Sequence, residues 1–214
     1  MPTSKGIVLD MPLNVDTVSL PTAYDVSRYG NNGTVTDMTL AADGLSGVFN
    51  GSSAFVEIAD DPSLDVGAGN FSVGFWMKGA DTSSATVLAR GKSTDNYWRF
   101  LSTGSNIIKW EVRGTFGTDD FNSVGTVFDT SWHRIDFTKD GVTGKFYIDG
   151  LLDDTAGALD ASYAEAGNLL IGSLDGSGSF WHDGNIAQVG LKSYTRTPGQ
   201  IYDRYQSTRN LFGV

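Results

Sequence analysis

Side chains able to do covalent chemistry are sparse in this chain. Only two histidines occur, His133 directly after Trp132 and His182 inside an aromatic run. There is no cysteine, so neither a disulfide framework nor a cysteine zinc site can form. A phosphate-cradling loop of Gly, Lys and Ser or Thr is absent. Glycoside hydrolysis needs two carboxylates flanking the bond, about 5 to 10 Å apart. On a strand that means acids two or four positions apart on one face. Asp60-Asp61 and Asp153-Asp154 are adjacent instead, which on a strand aims them at opposite faces, and they read as solvated turn acids. A Ser-His-Asp relay is recognised by geometry, and two isolated histidines give no pattern for one. The chain is expected to be non-catalytic.

Recognition chemistry is better represented. A ring stacks on a pyranose face while amides and carboxylates bond the hydroxyls. Tyr97, Trp98, Phe180, Trp181, His182 and Asp183 are the best cluster of that type and are the expected glycan-binding residues. Trp98 and Trp181 equally suit core plugs, because both flank strands. Asn32-Gly-Thr, Asn50-Gly-Ser and Asn70-Phe-Ser match glycosylation sequons. No basic segment followed by an apolar run succeeds Met1, so no signal peptide is read and chance explains the sequons.

Strands must position these residues. The 214 residues fit one large β domain, 1–214, with a helix and tail at 197–214. Twenty-seven glycines against five prolines, with twelve Phe, five Trp and eight Tyr, suit many short strands and tight turns. The formal charge of −10 has no basic stripe, which argues against nucleic acid as a partner. No run approaches the ~18 apolar residues of a membrane helix. The centre is Trp132 to Thr155, where Ile135 and Phe137 alternate with Arg134 and Asp136, then Phe146 and Ile148 with Tyr147 and Asp149. Period-two alternation marks strands with one buried face. Asp140-Gly141 and Asp149-Gly150 supply the tight turns, giving a three-stranded meander. Its expected neighbour is Phe71 to Lys78, with Phe71, Val73 and Phe75 on the core face. Further strands are expected at 7–13, 33–37, 46–50, 54–58, 86–90, 96–102, 107–113, 168–172 and 185–194, with loops at 14–32 and 114–125. Asp175 to Ser179 reads as a flexible turn. Thr197 to Gln206 is the one helix, capped by Thr197, with Pro198 at its first position and Ile201, Tyr202 and Tyr205 on one face.

The tryptophan-led strand, the Asp-Gly turn and the strand end Tyr147-Ile-Asp-Gly150 resemble the laminin G-like, concanavalin A-like jelly-roll family. Tyr24 to Thr34, Val48 to Ile58, Asp61-Pro-Ser-Leu64, Phe71 to Met77 and Gly184 to Leu191 resemble further landmarks in the family's order. The resemblance implies an all-β, two-sheet antiparallel sandwich with one short C-terminal helix. It also implies a possible calcium, held through Asp25, Asn31 and Asn32. The closing strand departs from the family pattern. Ile186-Ala-Gln-Val189 replaces an acidic ligand, and Ala187 is expected on the face of Val189 and Leu191. Two roles follow. One is a virion-associated module, a phage decoration or tail protein docking to other virion proteins or to copies of itself. The residues from Gln200 to Gly213 resemble the ends of such phage domains, and the missing export signal fits release by lysis. The other is an extracellular carbohydrate-binding module or lectin. Both are compatible with glycan binding.

Overall fold

The computed structural model describes residues 6–66, 69–80, 84–91, 96–114, 117–161, 167–176 and 180–214. The chain forms β1 (Ile7–Met11), β2 (Val18–Ser19), β3 (Thr22–Ala23), β4 (Gly33–Thr36), β5 (Thr39–Leu40), β6 (Gly47–Asn50), β7 (Phe55–Ile58), β8 (Phe71–Gly79) and β9 (Thr86–Gly91). It continues through β10 (Tyr97–Ser102), β11 (Ile108–Arg113), β12 (Asp119–Asn122), β13 (His133–Asp140), β14 (Thr143–Ile148), β15 (Leu151–Ala156), β16 (Leu169–Ile171), β17 (Asp183–Lys192) and the helix α1 (Pro198–Thr208). Two antiparallel sheets make the sandwich. The eight-stranded sheet runs β15-β14-β13-β8-β17-β6-β5, with β1 also on β17; the nine-stranded sheet runs β12-β11-β10-β9-β16-β7-β4-β3-β2. None of the described helices is long and apolar enough to cross a membrane.

The meander forms as its alternation requires. Phe137 pairs with Val73 on one side and Phe146 on the other, and Ile135 pairs with Phe75 and Ile148. These rows point into the sandwich against Trp98, Phe100 and Trp110 of the other sheet. The Phe137 ring stacks 4.9 Å from Trp110, and Phe100 meets Phe75 edge-on at 5.7 Å. Each such fully buried side chain contributes roughly 1.5 to 3 kcal/mol. At the β14–β15 turn both Asp149 (φ 52) and Gly150 (φ 81) are left-handed, the geometry that two-residue hairpins demand.

Several local expectations are corrected. Ile148 is only partly buried, because it lies on the rim of the apolar layer rather than inside it. The loop at 14–32 contains the short β2–β3 pair, and the loop at 114–125 contains β12, which pairs with β11 through Lys109–Asn122 to Val112–Asp119. Both are too short for periodicity to register. Ala187 does not share the face of Val189. A bulge at Gln188 (φ 50) shifts the register between Ala187 and Gly190, so Ile186, Val189 and Leu191 face the core while Ala187 packs outward on Trp76. Of the turn at Asp175 to Ser179, the last three positions lie outside the described residues.

The helix starts at Thr197, whose hydroxyl accepts the Gln200 amide at 3.3 Å while the Gln200 side chain accepts the Thr197 amide at 3.0 Å. This reciprocal cap fixes the first turn. The helix lies on the outer face of the eight-stranded sheet. Ile201 is fully buried and Tyr205 stacks 5.8 Å from Trp76. Tyr202, one position on from Ile201 and so rotated about 100° around the axis, points to solvent, 44% exposed, and does not join that face. A short 3₁₀ turn (Arg209–Leu211) then swings Phe212 onto Trp76 at 4.5 Å and Trp132 at 4.6 Å. The tail is therefore packed on its own sandwich.

Candidate functional site

The outer face of the nine-stranded sheet carries a mixture of rings and hydrogen-bonding groups. Alternation turns Trp98 and Phe100 of β10 inward, and hence Tyr97, Arg99 and Leu101 outward. On β11 the outward row is Lys109, Glu111 and Arg113, and on β12 it is Asp120 and Asn122. Register sets Tyr97 opposite Arg113, Arg99 opposite Glu111, and Glu111 opposite Asp120. Arg99 and Glu111 are opposite charges across strands, which stabilises a sheet face, and the two facing acids Glu111 and Asp120 are bridged by Lys109 and Arg113, each of which pairs with both.

Glu111 is the hub. Its Oε1 accepts from Arg99 Nε at 2.8 Å and from the Tyr97 hydroxyl at 3.2 Å, and its Oε2 pairs with Lys109 Nζ at 2.7 Å and Arg113 at 2.9 Å. Burial pushes its carboxyl up, but the bonds and charges of Lys109 and Arg99 outweigh that and hold it below the usual range. Asp120 takes both guanidinium nitrogens of Arg113, at 2.8 and 2.9 Å. Burial and the Glu111 charge raise the Tyr97 phenol, so it stays protonated and able to donate.

The segment between β16 and β17 carries Phe180 and Trp181. The Phe180 carbonyl accepts the Thr86 amide at 2.8 Å, which anchors that side of the loop on β9. Phe180 then lies over the Arg99 guanidinium, 4.9 Å from its centre, and Tyr97 flanks the same guanidinium at 5.5 Å. Arg99 is thus held between two rings by cation–π contacts. Phe180 remains 39% exposed, with a backbone φ of 68 that a bulky residue rarely adopts. Trp181 is half-buried and tilts against Phe55 of β7 at 5.8 Å.

Of the six expected glycan-binding residues, the fold brings Tyr97 and Phe180 together on this face, with Trp181 on the same loop. It separates the others. Trp98 is 1% exposed in the core, so its role as a contact ring is corrected to that of a plug. His182 is fully buried, edge-on to Phe49 and Phe128, and ties the loop's end between the sheets. Burial, partly offset by the Asn185 backbone, pushes its pKa down to about 4. Asp183 is exposed where β17 begins, beside Asn50 and Gly51, and away from Tyr97. Sequence reasoning missed Arg99, Glu111 and Arg113 because they read as a solvated strand face. The signal that could have found them is the facing of opposite charges on adjacent strands.

The residues expected for calcium do not fit that ion. Asp25 Oδ1 accepts the Asp10 and Ser27 amides, both at 2.8 Å, and Oδ2 accepts the Ser27 hydroxyl at 2.7 Å and the Asn31 amide at 2.8 Å. Asn31 turns its amide nitrogen on Val8 O and Ser63, and Asn32 Oδ1 accepts the Asp25 amide at 3.0 Å. Calcium needs six to eight oxygen ligands with free lone pairs. Here both carboxylate oxygens are taken by donors; Asp25 and Asn31 brace the loop against β1, and Asn32 closes the loop on itself. No cluster of three or more His, Cys, Asp or Glu suited to a metal occurs among the described residues.

Comparison with known proteins matches this architecture. A laminin G-type family model described as the concanavalin A-like lectin/glucanases superfamily matches residues 50–202. Curated protein sequences give no match. Among solved structures, the binding domain of Paraclostridial Mosquitocidal Protein 1 superposes with a TM-score of 0.74 at 12% identity, covering 95% of this chain and 52% of that one. The receptor binding domain of botulinum neurotoxin D gives 0.73 at 14% identity, covering 96% and 53%. Domain 4 of AbnA, an extracellular arabinanase from Geobacillus stearothermophilus in complex with arabinotriose, gives 0.73 at 16% identity, covering 93% and 98%. The chain spans about half the length of the first two of these domains. At these identities the likeness is one of fold.

Proposed function

Since the chain belongs to the concanavalin A-like lectin/glucanases superfamily, we propose that it is a non-catalytic recognition module of the extracellular space that holds a glycan on the outer face of its nine-stranded sheet. The observation that carries this reading is the Tyr97–Arg99–Phe180 stack beside Glu111 and Arg113. An exposed ring edge and a ladder of oriented donors and acceptors are what a saccharide's apolar face and hydroxyls require. A fold neighbour in complex with arabinotriose supports the ligand class. Glycan-array screening followed by calorimetry tests it. Phe180→Ala and Arg113→Ala should each weaken the best ligand at least about tenfold, the size of a lost 1.4 kcal/mol contact, with an unchanged circular dichroism spectrum. No binder on the array, or affinity untouched by both variants, would overturn the reading.

Docking to other virion proteins, or to copies of this chain, is the second reading. Tyr202, Leu211 and Val214 favour it, being 44, 51 and 41% exposed beside the packed tail. Sedimentation velocity that finds only monomer up to high concentration would remove the self-association form of it.

A further inference from the structure

The opposite sheet carries a feature that the recognition face does not use. Where the first turn of α1 meets β13 and β14 there is a cleft of about 410 Å³. That volume suits one sugar ring or a small organic acid. Its floor is the outward row of the hairpin, Thr138, Thr143 and Lys145, with Thr138 and Lys145 as cross-strand partners. Arg196 and the chain leading into the helix form the far wall. Lys145 makes no ion pair among the described residues.

Charge behind that wall is unbalanced. Asp136, 1% exposed, accepts from Arg134 at 3.0 and 3.1 Å and from Arg196 at 2.8 Å. Two guanidinium groups therefore share one carboxylate. Lys192 and Arg204 lie within electrostatic range of the same group, and Asp10 is the one further acid among the strongest influences on them. Four cations thus face two carboxylates, in a chain whose formal charge is −10. Burial, then repulsion from Arg196 and Arg134, pushes the Lys192 ammonium down to about 8. Buried charge is costly unless paired. Arg196 donates Nη1 to Asp136 and Nη2 to the Gln200 carbonyl, so it brings positive charge to the cleft wall, and Lys145 adds its own ammonium at the rim. One acid, Asp140, also lines the rim; the Asn70 amide donates to it at 2.7 Å and turns that oxygen toward the start of β8, but its charge remains and offsets part of the excess.

We propose that this cleft binds a carboxylate on a hydroxylated skeleton, a uronic acid residue being the simplest form. The carboxylate lies between Lys145 and Arg196, where it supplies the missing negative charge. The hydroxyls reach Thr143, whose side chain can both donate and accept, and Thr195, whose hydroxyl already donates to the Lys139 carbonyl at 2.7 Å and so accepts. Because the cleft and the recognition face belong to different sheets, each can fail without the other.

Amide NMR titration of the full chain with galacturonate, galactose and inorganic phosphate decides the matter. Galacturonate should give saturable shifts at 138–147 and 195–200, and galactose should not. Lys145→Gln, which leaves Arg196 and the fold in place, should raise the dissociation constant at least tenfold. Four results would overturn the site: no saturable shift, shifts confined to β10 and β11, an equal response to galactose, or indifference to Lys145→Gln. Phosphate binding as tightly as galacturonate would overturn the hydroxylated ligand, leaving a bare anion site.

Discussion

His182 should make the fold acid-sensitive in a way that one substitution abolishes. Its ring is fully buried between the sheets, and its pKa in the folded chain falls to about 4 from an ordinary 6.5. Below pH 6.5 the unfolded chain takes up a proton that the folded chain refuses until near pH 4. The unfolded state therefore gains, and the stability that the neutral ring preserves is complete above pH 6.5 and drains away as pH falls toward 4. At 1.36 kcal/mol per pH unit, the gap amounts to roughly 3 kcal/mol. Urea unfolding followed by tryptophan fluorescence at pH 7.5, 6, 5 and 4.5 reads it directly. His182→Gln should begin less stable, since it disturbs a packed site, but should lose roughly 2 to 3 kcal/mol less than wild type between pH 7.5 and 4.5. Carboxylates titrate in both proteins and cancel in the difference. Parallel pH profiles for the two would refute the reasoning, because they would mean that His182 is protonated in the folded chain or is not enclosed.

His133 works in the opposite direction. Its hydrogen bond to Asp149 first, against burial, with the charges of Asp149 and Asp129 adding, raises its pKa. Its contribution is present below about pH 6.5 and is lost as pH rises through the raised value, so His133→Gln should cost more stability at pH 5 than at pH 8. Phe137→Ala, at a ring wrapped by Phe71, Phe100, Trp110 and Phe146, should cost about 3 to 5 kcal/mol in denaturant unfolding; an unchanged midpoint would place Phe137 outside the core. Deleting residues 207–214 removes both Phe212 from its stack on Trp76 and the Thr208 hydroxyl that accepts the Trp76 indole N–H at 3.1 Å, and should lower the melting temperature by several degrees. A melting temperature that does not move would mean that the tail braces nothing.

The strand pattern was legible because it is local. Phe71, Val73 and Phe75, or Ile135 and Phe137, alternate with polar neighbours, and a pleated backbone can bury such a row only as a strand. Asp149-Gly150 and Thr197-Pro198 were readable for the same reason: left-handed backbone and a helix cap are solved within four residues. What lies on the outward side of each strand was not legible. Arg134, Asp136 and Thr138 look like a solvated row, yet all three are buried, because α1 comes back from some sixty residues downstream to cover them. Arg99 looks the same, and is enclosed because Phe180, some eighty residues downstream, lies across it. Ala187 reads inward by simple alternation, and one extra residue at Gln188 turns it out. Period two reports that a strand has two faces. Which of them meets water depends on where a distant segment closes over the sheet, a packing decision made only once the whole chain is folded.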